Sequence, residues 1–194
     1  MRSERRLTKI ERVLRWRQSD LTVVMENIHD PHNVSAMLRT CDAAGVMEVQ
    51  LVYTDEEFPD IGKKSSASAK KWVERKRFKS IAECYSKLKK DGFMVYATRI
   101  GEESKTPYQL DFTRKAALVF GNEHRGVSDE AAKLADGLVQ IPMFGMIESL
   151  NVSVACAVLL YEAVRQRIDA GKYDSSSLSD TILEKLVKSW ALEK

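Results

Sequence analysis

Apolar residues recur along this chain with two different periods. Continuous apolar runs at 21–26 (LTVVME), 48–53 (EVQLVY), 93–98 (FMVYAT), 117–120 (ALVF) and 138–141 (LVQI) have the length and β-branched content of buried strands. A more basic run at 72–78 reads as a weaker strand. Helical spacing predicts helices over 2–18, 33–44, 80–90 and 152–168, and from a Ser128 cap to about Ala135. The first carries only a thin apolar stripe: Leu7, Ile10, Val13 and Leu14. The second follows a turn at Asp30-Pro31 and is ended by Gly45, and the third is closed by Asp91-Gly92. SSASAKK at 65–71 reads as a short helix. Gly171 and a serine-rich linker at 175–179 lead to a C-terminal amphipathic helix. Strands alternating with helices predict an α/β fold, a mostly parallel sheet with helices on both faces.

One stretch departs from the ordinary pattern. From Ile141 to Glu162 the chain turns at Pro142 and Gly145, then sets Glu148, Ser149, Asn151 and Ser153 before a long apolar run. Val152, Ala155, Cys156, Leu159, Leu160 and Ala163 share one helical face, and Val154, Val158 and Tyr161 make the other face apolar too, so this helix is expected to be buried nearly all round. A single cap, from Ser149 or Asn151, satisfies the helix start. Four polar residues exceed that need and point to a ligand or reacting group nearby. Ligands of parallel sheets sit beyond the C-terminal strand ends. The polar clusters 27–33, 98–99, 121–126 and 142–151 all fall there.

Composition narrows the class. The chain has 194 residues, 44% hydrophobic and 30% charged, which is enough for one core with terminal additions. No apolar run approaches the ~20 residues of a membrane span, and the arginine-rich start lacks the apolar core of a secretory signal. Cys41, Cys84 and Cys156 are scattered and odd in number, which indicates a reducing compartment, the cytoplasm, and no disulfide framework. Net charge is only +3, but it is unevenly spread. Residues 1–20 carry seven basic against three acidic side chains, and residues 63–79 eight against one. Two such segments on a nearly neutral protein favour a polyanion partner, most simply nucleic acid. No G-x-G-x-x-G, Walker A, G-x-S-x-G or H-E-x-x-H motif is present, and His29 and His32 have no zinc-spaced companions, so no metal is expected.

Three segments now stand out in order: ENIHDPHNVSAMLRTCDAAGV (26–46), LVFGNEHRGVS (118–128) and IPMFGMIESLNVSVACAVLLYE (141–162). Together they resemble the SPOUT superfamily of methyltransferases, in its SpoU branch, which methylates ribose 2′-hydroxyls in RNA. Asn33 followed six residues on by Arg39 is similar to the first motif. Phe120-Gly121-Asn122-Glu123 with Gly126 is similar to the second. Ile141-Pro142-Met143 with Ser149-Leu150-Asn151-Val152-Ser153 is similar to the third. The resemblance covers roughly residues 21–165. The flanks RQSDLTVVMENIHDPHN and AVRQRIDAGKYD are similar to the members that modify guanosine 18 of the tRNA D-loop. About 20 residues precede the first strand, so the separate N-terminal RNA-binding domain of many ribosomal-RNA members is not expected.

The resemblance implies a C-terminal deep trefoil knot, an exception to the usual avoidance of threading. The knot supplies a pocket for S-adenosyl-L-methionine without a glycine-rich turn. It implies Gly121, Ile141, Met143 and Leu150 around the donor, with Thr98 at the edge. It implies Arg39 as the catalytic arginine, either a phosphate-assisted base or a clamp for phosphate and developing alkoxide, with Asn33, Glu123, Ser149 and Asn151 fixing the site. Arg6, Arg12, Arg17, Lys89, Lys90, Arg165 and Arg167 are the expected tRNA contacts. The layout expected is a basic N-terminal extension (1–20), the methyltransferase domain (21–170) and a C-terminal extension (171–194), in a homodimer joined through the 152–168 helix. Methylation at another tRNA or rRNA site, or a non-catalytic RNA-binding role on the same fold, are the alternatives.

Overall fold

The computed structural model describes residues 4–60 and 69–193. Along the chain come α1 (Glu4–Arg15), β1 (Leu21–Glu26), α2 (Pro31–Ala43), β2 (Glu48–Val52), a 3-10 turn (Ala69–Lys71), β3 (Glu74–Phe78) and α3 (Ile81–Lys90). Then follow β4 (Met94–Thr98), a second 3-10 turn (Pro107–Gln109), β5 (Ala116–Phe120), α4 (Asp129–Leu134), β6 (Gly137–Val139), α5 (Val152–Asp169) and α6 (Asp180–Glu193). The expected strands all form, β1 with the expected bounds and the others with ends shifted by at most two residues. Of the short helix expected at 65–71, residues 65–68 lie outside the described residues, and 69–71 form the first 3-10 turn.

The six strands make one sheet, ordered β3-β2-β1-β5-β4-β6, with every neighbour parallel. Both faces are covered, as parallel sheets require. On one face α2 and α5 pack over Val23, Met25, Val49, Leu51 and Leu118. On the other, α3 and α4 pack over Val24, Val52, Val95 and Val119. The helices α1 and α6 bury a separate small cluster of Ile10, Leu14, Leu183 and Trp190, with Trp72 against Trp190 at 5.0 Å between ring centroids. This pair is attached at the N-terminal edge of the sheet, where Gln18 N donates to Gly45 O at 2.8 Å. Gly45 has φ 78°, and a Cβ there would sit 2.8 Å from Trp16 O, so the contact needs glycine.

Three expectations are corrected. The helix expected from Asn33 starts at Pro31, because Asp30 is the cap: its carboxylate accepts from His32 N at 2.8 Å, and proline suits the first helical turn. The 152–168 helix is not buried all round within one chain. Val154, Val158 and Tyr161 are 47%, 36% and 53% exposed, because α2 and the sheet cover only the opposite side of α5.

Arg17 and Arg167, expected on tRNA, are 0% exposed and cannot reach a phosphate. Arg167 donates to the carbonyls of Phe112, Asp20 and Arg114, to Gln18 Oε1 and to the Asp20 carboxylate. Arg17 pairs with Asp42 and donates to Val46 O at 2.8 Å. Both sit where turns at the N-terminal sheet edge leave carbonyls without strand partners, and a guanidinium's five donors satisfy several at once. Burial raises the Asp20 pKa, but Arg167 and Lys172 outweigh it and hold the carboxyl below its ordinary value.

Candidate active site

At the C-terminal strand ends a cleft of about 600 Å³ opens between β4, β5, the 121–127 loop, the 140–151 loop and the start of α5. Thr98, Gly121, Ile141, Met143 and Leu150, the five expected donor contacts, all line it, as do Glu123, Ser149 and Asn151. Thr98 Oγ1 donates to Val119 O at 2.9 Å, which ties the tips of β4 and β5 together. A Cβ on Gly121 would lie 2.1 Å from the Gly126 backbone, so the 121–126 loop closes only over a glycine. None of the ten residues 141–150 makes a hydrogen bond with another described residue. Their backbone donors and acceptors therefore face the cleft or solvent without protein partners.

The chemistry-bearing side chains are joined at the rim. Glu123 accepts from His29 N at 2.9 Å, Asp30 N at 3.0 Å and Asn33 Nδ2 at 2.9 Å. Asn33, 7% exposed, accepts in turn from Asn151 Nδ2 at 3.0 Å. Asn151 caps α5, its Oδ1 accepting from Ser153 N at 2.9 Å. One polar chain thus connects all three motif segments. Burial raises the Glu123 pKa, but the hydrogen bonds from Asn33, His29 and Asp30 prevail and leave it below the usual value. The carboxylate is therefore a fixed anion that braces the start of α2.

Arg39 is not part of the cleft lining. It is exposed on α2, and its side chain has no hydrogen bond or ion pair among the described residues. Asn33 and Cys41 lie on the α5 side of α2, Asn33 against Asn151 and Cys41 against Cys156. At ~100° per residue Arg39 is turned to the opposite side of the helix from them, and it lies ~9 Å along the axis from Asn33. Ser149 lines the cleft without a hydrogen bond among the described residues.

The expected tRNA contacts divide. Arg6 and Arg12 lie on α1, with Arg12 5.4 Å from the exposed Trp16 ring. Lys89 pairs with Asp136 at 2.8 Å, and Lys90 is exposed. Arg165 is held by Glu162 and Asp169, each at 2.8 Å. Sequence reasoning passed over Asn122, which donates to Asn27 O at 2.9 Å and accepts from His124 N at 3.0 Å, bracing the second motif against the first. Its place inside the FGNE motif was the available signal. Among the described residues no group of His, Cys, Asp or Glu is arranged to hold a metal, and no helix is long and apolar enough to cross a membrane.

A parallel sheet with an unsatisfied loop over a cleft at its C-terminal edge defines an α/β protein with a small-molecule site at the strand ends. More narrowly, the chain belongs to the SpoU rRNA Methylase family, whose model matches residues 20–161. It is 48% identical over 189 residues to the tRNA (guanosine(18)-2′-O)-methyltransferase of Thermus thermophilus, covering 97% of each chain. The Escherichia coli K12 enzyme of the same name is 40% identical, covering 94% of this chain and 80% of that one. The crystal structure of the A. aeolicus TrmH/SpoU tRNA modifying enzyme superposes with a TM-score of 0.92 at 39% identity, covering 98% and 96%. The SpoU methyltransferase AviRb of Streptomyces viridochromogenes, solved with AdoMet, gives a TM-score of 0.69 at 29% identity, covering 78% and 59%.

Proposed function

We propose that this protein transfers the methyl group of S-adenosyl-L-methionine to the ribose 2′-hydroxyl of guanosine 18 in tRNA. The observation that carries this reading is the Glu123–Asn33–Asn151 chain at the rim of the cleft, in a protein so similar along its length to enzymes of that name. The cleft fits the donor: its volume lies in the small-ligand range of about 300–1,000 Å³, and the 141–150 backbone offers unused hydrogen-bonding groups. Gly121, Ile141, Met143 and Leu150 hold the donor, with Thr98 at the edge. When bound, it supplies an electrophilic methyl group on a sulfonium.

The chain's own contribution is positioning and charge. Asn33, Glu123, Ser149 and Asn151 fix the rim on which the ribose rests. Arg39 clamps a neighbouring phosphate and steadies the 2′-oxygen, whose proton passes to solvent water as the oxygen bonds the methyl and the methyl–sulfur bond breaks. A guanidinium stays protonated near neutrality, so this role suits it better than that of a base. No step calls for a metal.

On this reading the fold closes a deep trefoil knot. The 99–115 connection is bonded to β6 through Lys105, whose N donates to Leu138 O, and to α5 through Phe112, whose N donates to Gln166. Threading requires the 140–151 segment to pass between these two anchor points on its way to α5.

The reading includes a homodimer. Val154, Val158 and Tyr161 form an exposed apolar stripe on α5, and Phe144, Met146 and Ile147 in the preceding loop are exposed as well. Covering it with a second copy removes apolar area from water. Since Arg39 faces away from its own cleft, the dimer lets an arginine of one protomer and the donor pocket of the other share a ribose. Arg6 and Arg12 on the 1–20 extension, Lys90, and the 171–194 extension add tRNA contacts around the 21–170 domain, and a tRNA substrate is in keeping with a cytoplasmic enzyme.

A second reading, methylation at another RNA site, is supported by relatives. A 23S rRNA (guanosine-2′-O-)-methyltransferase RlmB is 39% identical over 77% of this chain and 60% of its own. Incubation with unmodified tRNA and labelled donor, followed by digestion to nucleosides, decides. The expected product is 2′-O-methylguanosine, lost when guanosine 18 is replaced. Labelling that survives replacement supports the second reading. No labelling, with tRNA bound, leaves a non-catalytic RNA-binding protein.

A further inference from the structure

The most basic segment of the sequence, residues 63–79, has no part in the site above; residues 63–68 lie outside the described residues, and 69–79 contain the first 3-10 turn and β3. β3 is an edge strand, paired only with β2. Its register is informative. Arg75 pairs with Val49 and Arg77 with Leu51, and both partners belong to the core under α2 and α5. Arg75 and Arg77 therefore stand on the α2 side of the sheet, ~7 Å apart along the strand. Among the described residues no helix covers β3 there, and both are exposed. The 3-10 turn ending at Lys71 packs against α2 itself, the helix that carries Arg39 on the side turned away from α5.

Charge pairing separates the two faces. On the α3 side Lys76 pairs with Glu48 at 2.6 Å, Lys87 with Asp91 at 2.5 Å and Lys89 with Asp136 at 2.8 Å. On the α2 side Lys71, Arg75 and Arg77 have no side-chain ion pair among the described residues; Lys79, just past the strand end, has none either, although its backbone N–H donates to Glu83 Oε2 at 2.9 Å. Arg77 instead lies 5.0 Å from the Phe58 ring, which packs edge-on against Tyr53, whose hydroxyl donates to Ile28 O. That stack orients the guanidinium without neutralising it and fastens it to the loop that carries the first motif.

We propose that Lys71, Arg75, Arg77 and Lys79 form a phosphate-binding ledge for the body of the tRNA, continuous with Arg39. The ledge grips the RNA backbone away from the methylated nucleotide, so it contributes affinity without base specificity. It rests on the tRNA reading above. Basic edge strands also discourage sheet-to-sheet pairing, a role that leaves tRNA affinity unmoved when the charge is removed.

The test is tRNA binding across a salt series with Arg75→Ala/Arg77→Ala/Lys79→Ala, against Lys76→Ala/Lys87→Ala/Lys133→Ala, which removes equal charge from the α3–α4 face. The ledge variant is expected to lose about tenfold or more in tRNA affinity and to flatten the salt slope by about two to three. Its tRNA KM rises while donor affinity and kcat hold, which shows that it is folded. The control variant stays within about twofold of wild type. Wild-type affinity and slope in the ledge variant, or an equal loss in the control, overturns the ledge while the methylation reading stands. A wild-type protein that neither binds nor methylates tRNA overturns both.

Discussion

Asn151 donates its side-chain amide to the Asn33 carbonyl oxygen at 3.0 Å, across 118 positions of sequence. Asn33 passes the link on to Glu123, so one buried amide serves as both acceptor and donor. Asn33→Ala leaves both partners short of a bond and is expected to lower stability by about 1–3 kcal/mol. It is also expected to cut kcat about a hundredfold, the scale of misplacing a reacting group by an ångström. Asn33→Asp sets a second carboxylate against Glu123 and fares worse at neutral pH. Urea unfolding and single-turnover methylation check both; wild-type behaviour of both variants removes the link from the mechanism.

Glu123 gives the link an acid limit. Its carboxyl pKa is lowered in the folded protein, where burial opposes ionisation but the bonds from Asn33, His29 and Asp30 favour it more. A depressed carboxylate pKa contributes stability above the unfolded value, ~4.3, and loses it as pH falls through the folded value. The wild type is therefore expected to weaken with acid more steeply than Glu123→Gln below about pH 4.5. Denaturation midpoints measured from pH 7 to pH 3 on both proteins give the comparison, and parallel curves refute it.

Much of this was legible in the sequence because each signal was local. The apolar runs placed the strands, Ser128 did cap its helix, and the polar excess before Val152 marked the cleft edge. What was not legible depended on where a side chain ended up. Arg167 has the same local character as Arg165, yet one is enclosed by five acceptors and the other is open to solvent. Strand order decides that, and no periodicity reports it. Likewise Arg39 is in motif register with Asn33, but helix geometry turns it away from the cleft.

That contrast is measurable. Arg167→Ala strips a half-buried carboxylate, Asp20, of its main partner and leaves several buried carbonyls unpaired, which is expected to cost about 3 kcal/mol. The part that remains folded should bind tRNA as wild type does. Thermal or urea unfolding alongside tRNA titration at low temperature tests this. A weakened tRNA affinity with unchanged stability would return Arg167 to the RNA-binding surface.

The α5 stripe carries its own prediction. Val158→Glu or Tyr161→Glu places a charge on a face that is exposed in one chain and covered in the proposed dimer. A single chain tolerates either within about 0.5 kcal/mol, as ordinary surface changes do. A dimer built on that stripe does not, because the charge is desolvated without a partner. Light scattering is expected to show monomers that retain secondary structure and lose methylation. An active monomer, wild type or variant, contradicts the shared site.

Arg39 tests the shared site most directly. Arg39→Ala is expected to keep donor affinity, because the arginine is not in the cleft lining, and to lose turnover. Leu150→Trp fills the cleft of its own chain and is expected to lose donor binding. Neither homodimer is active. If arginine and donor pocket come from different protomers, a heterodimer of the two contains one complete site, formed by the intact cleft of the Arg39→Ala chain and the intact arginine of the Leu150→Trp chain. Random reassortment of equal amounts makes half the dimers heterodimers, each with one of two sites complete, so kcat per chain should recover to about a quarter of wild type. If arginine and pocket come from the same chain, no combination is complete and the mixture stays inactive. Mixing after mild denaturation, with the heterodimer fraction measured by a tag on one chain, separates the two arrangements.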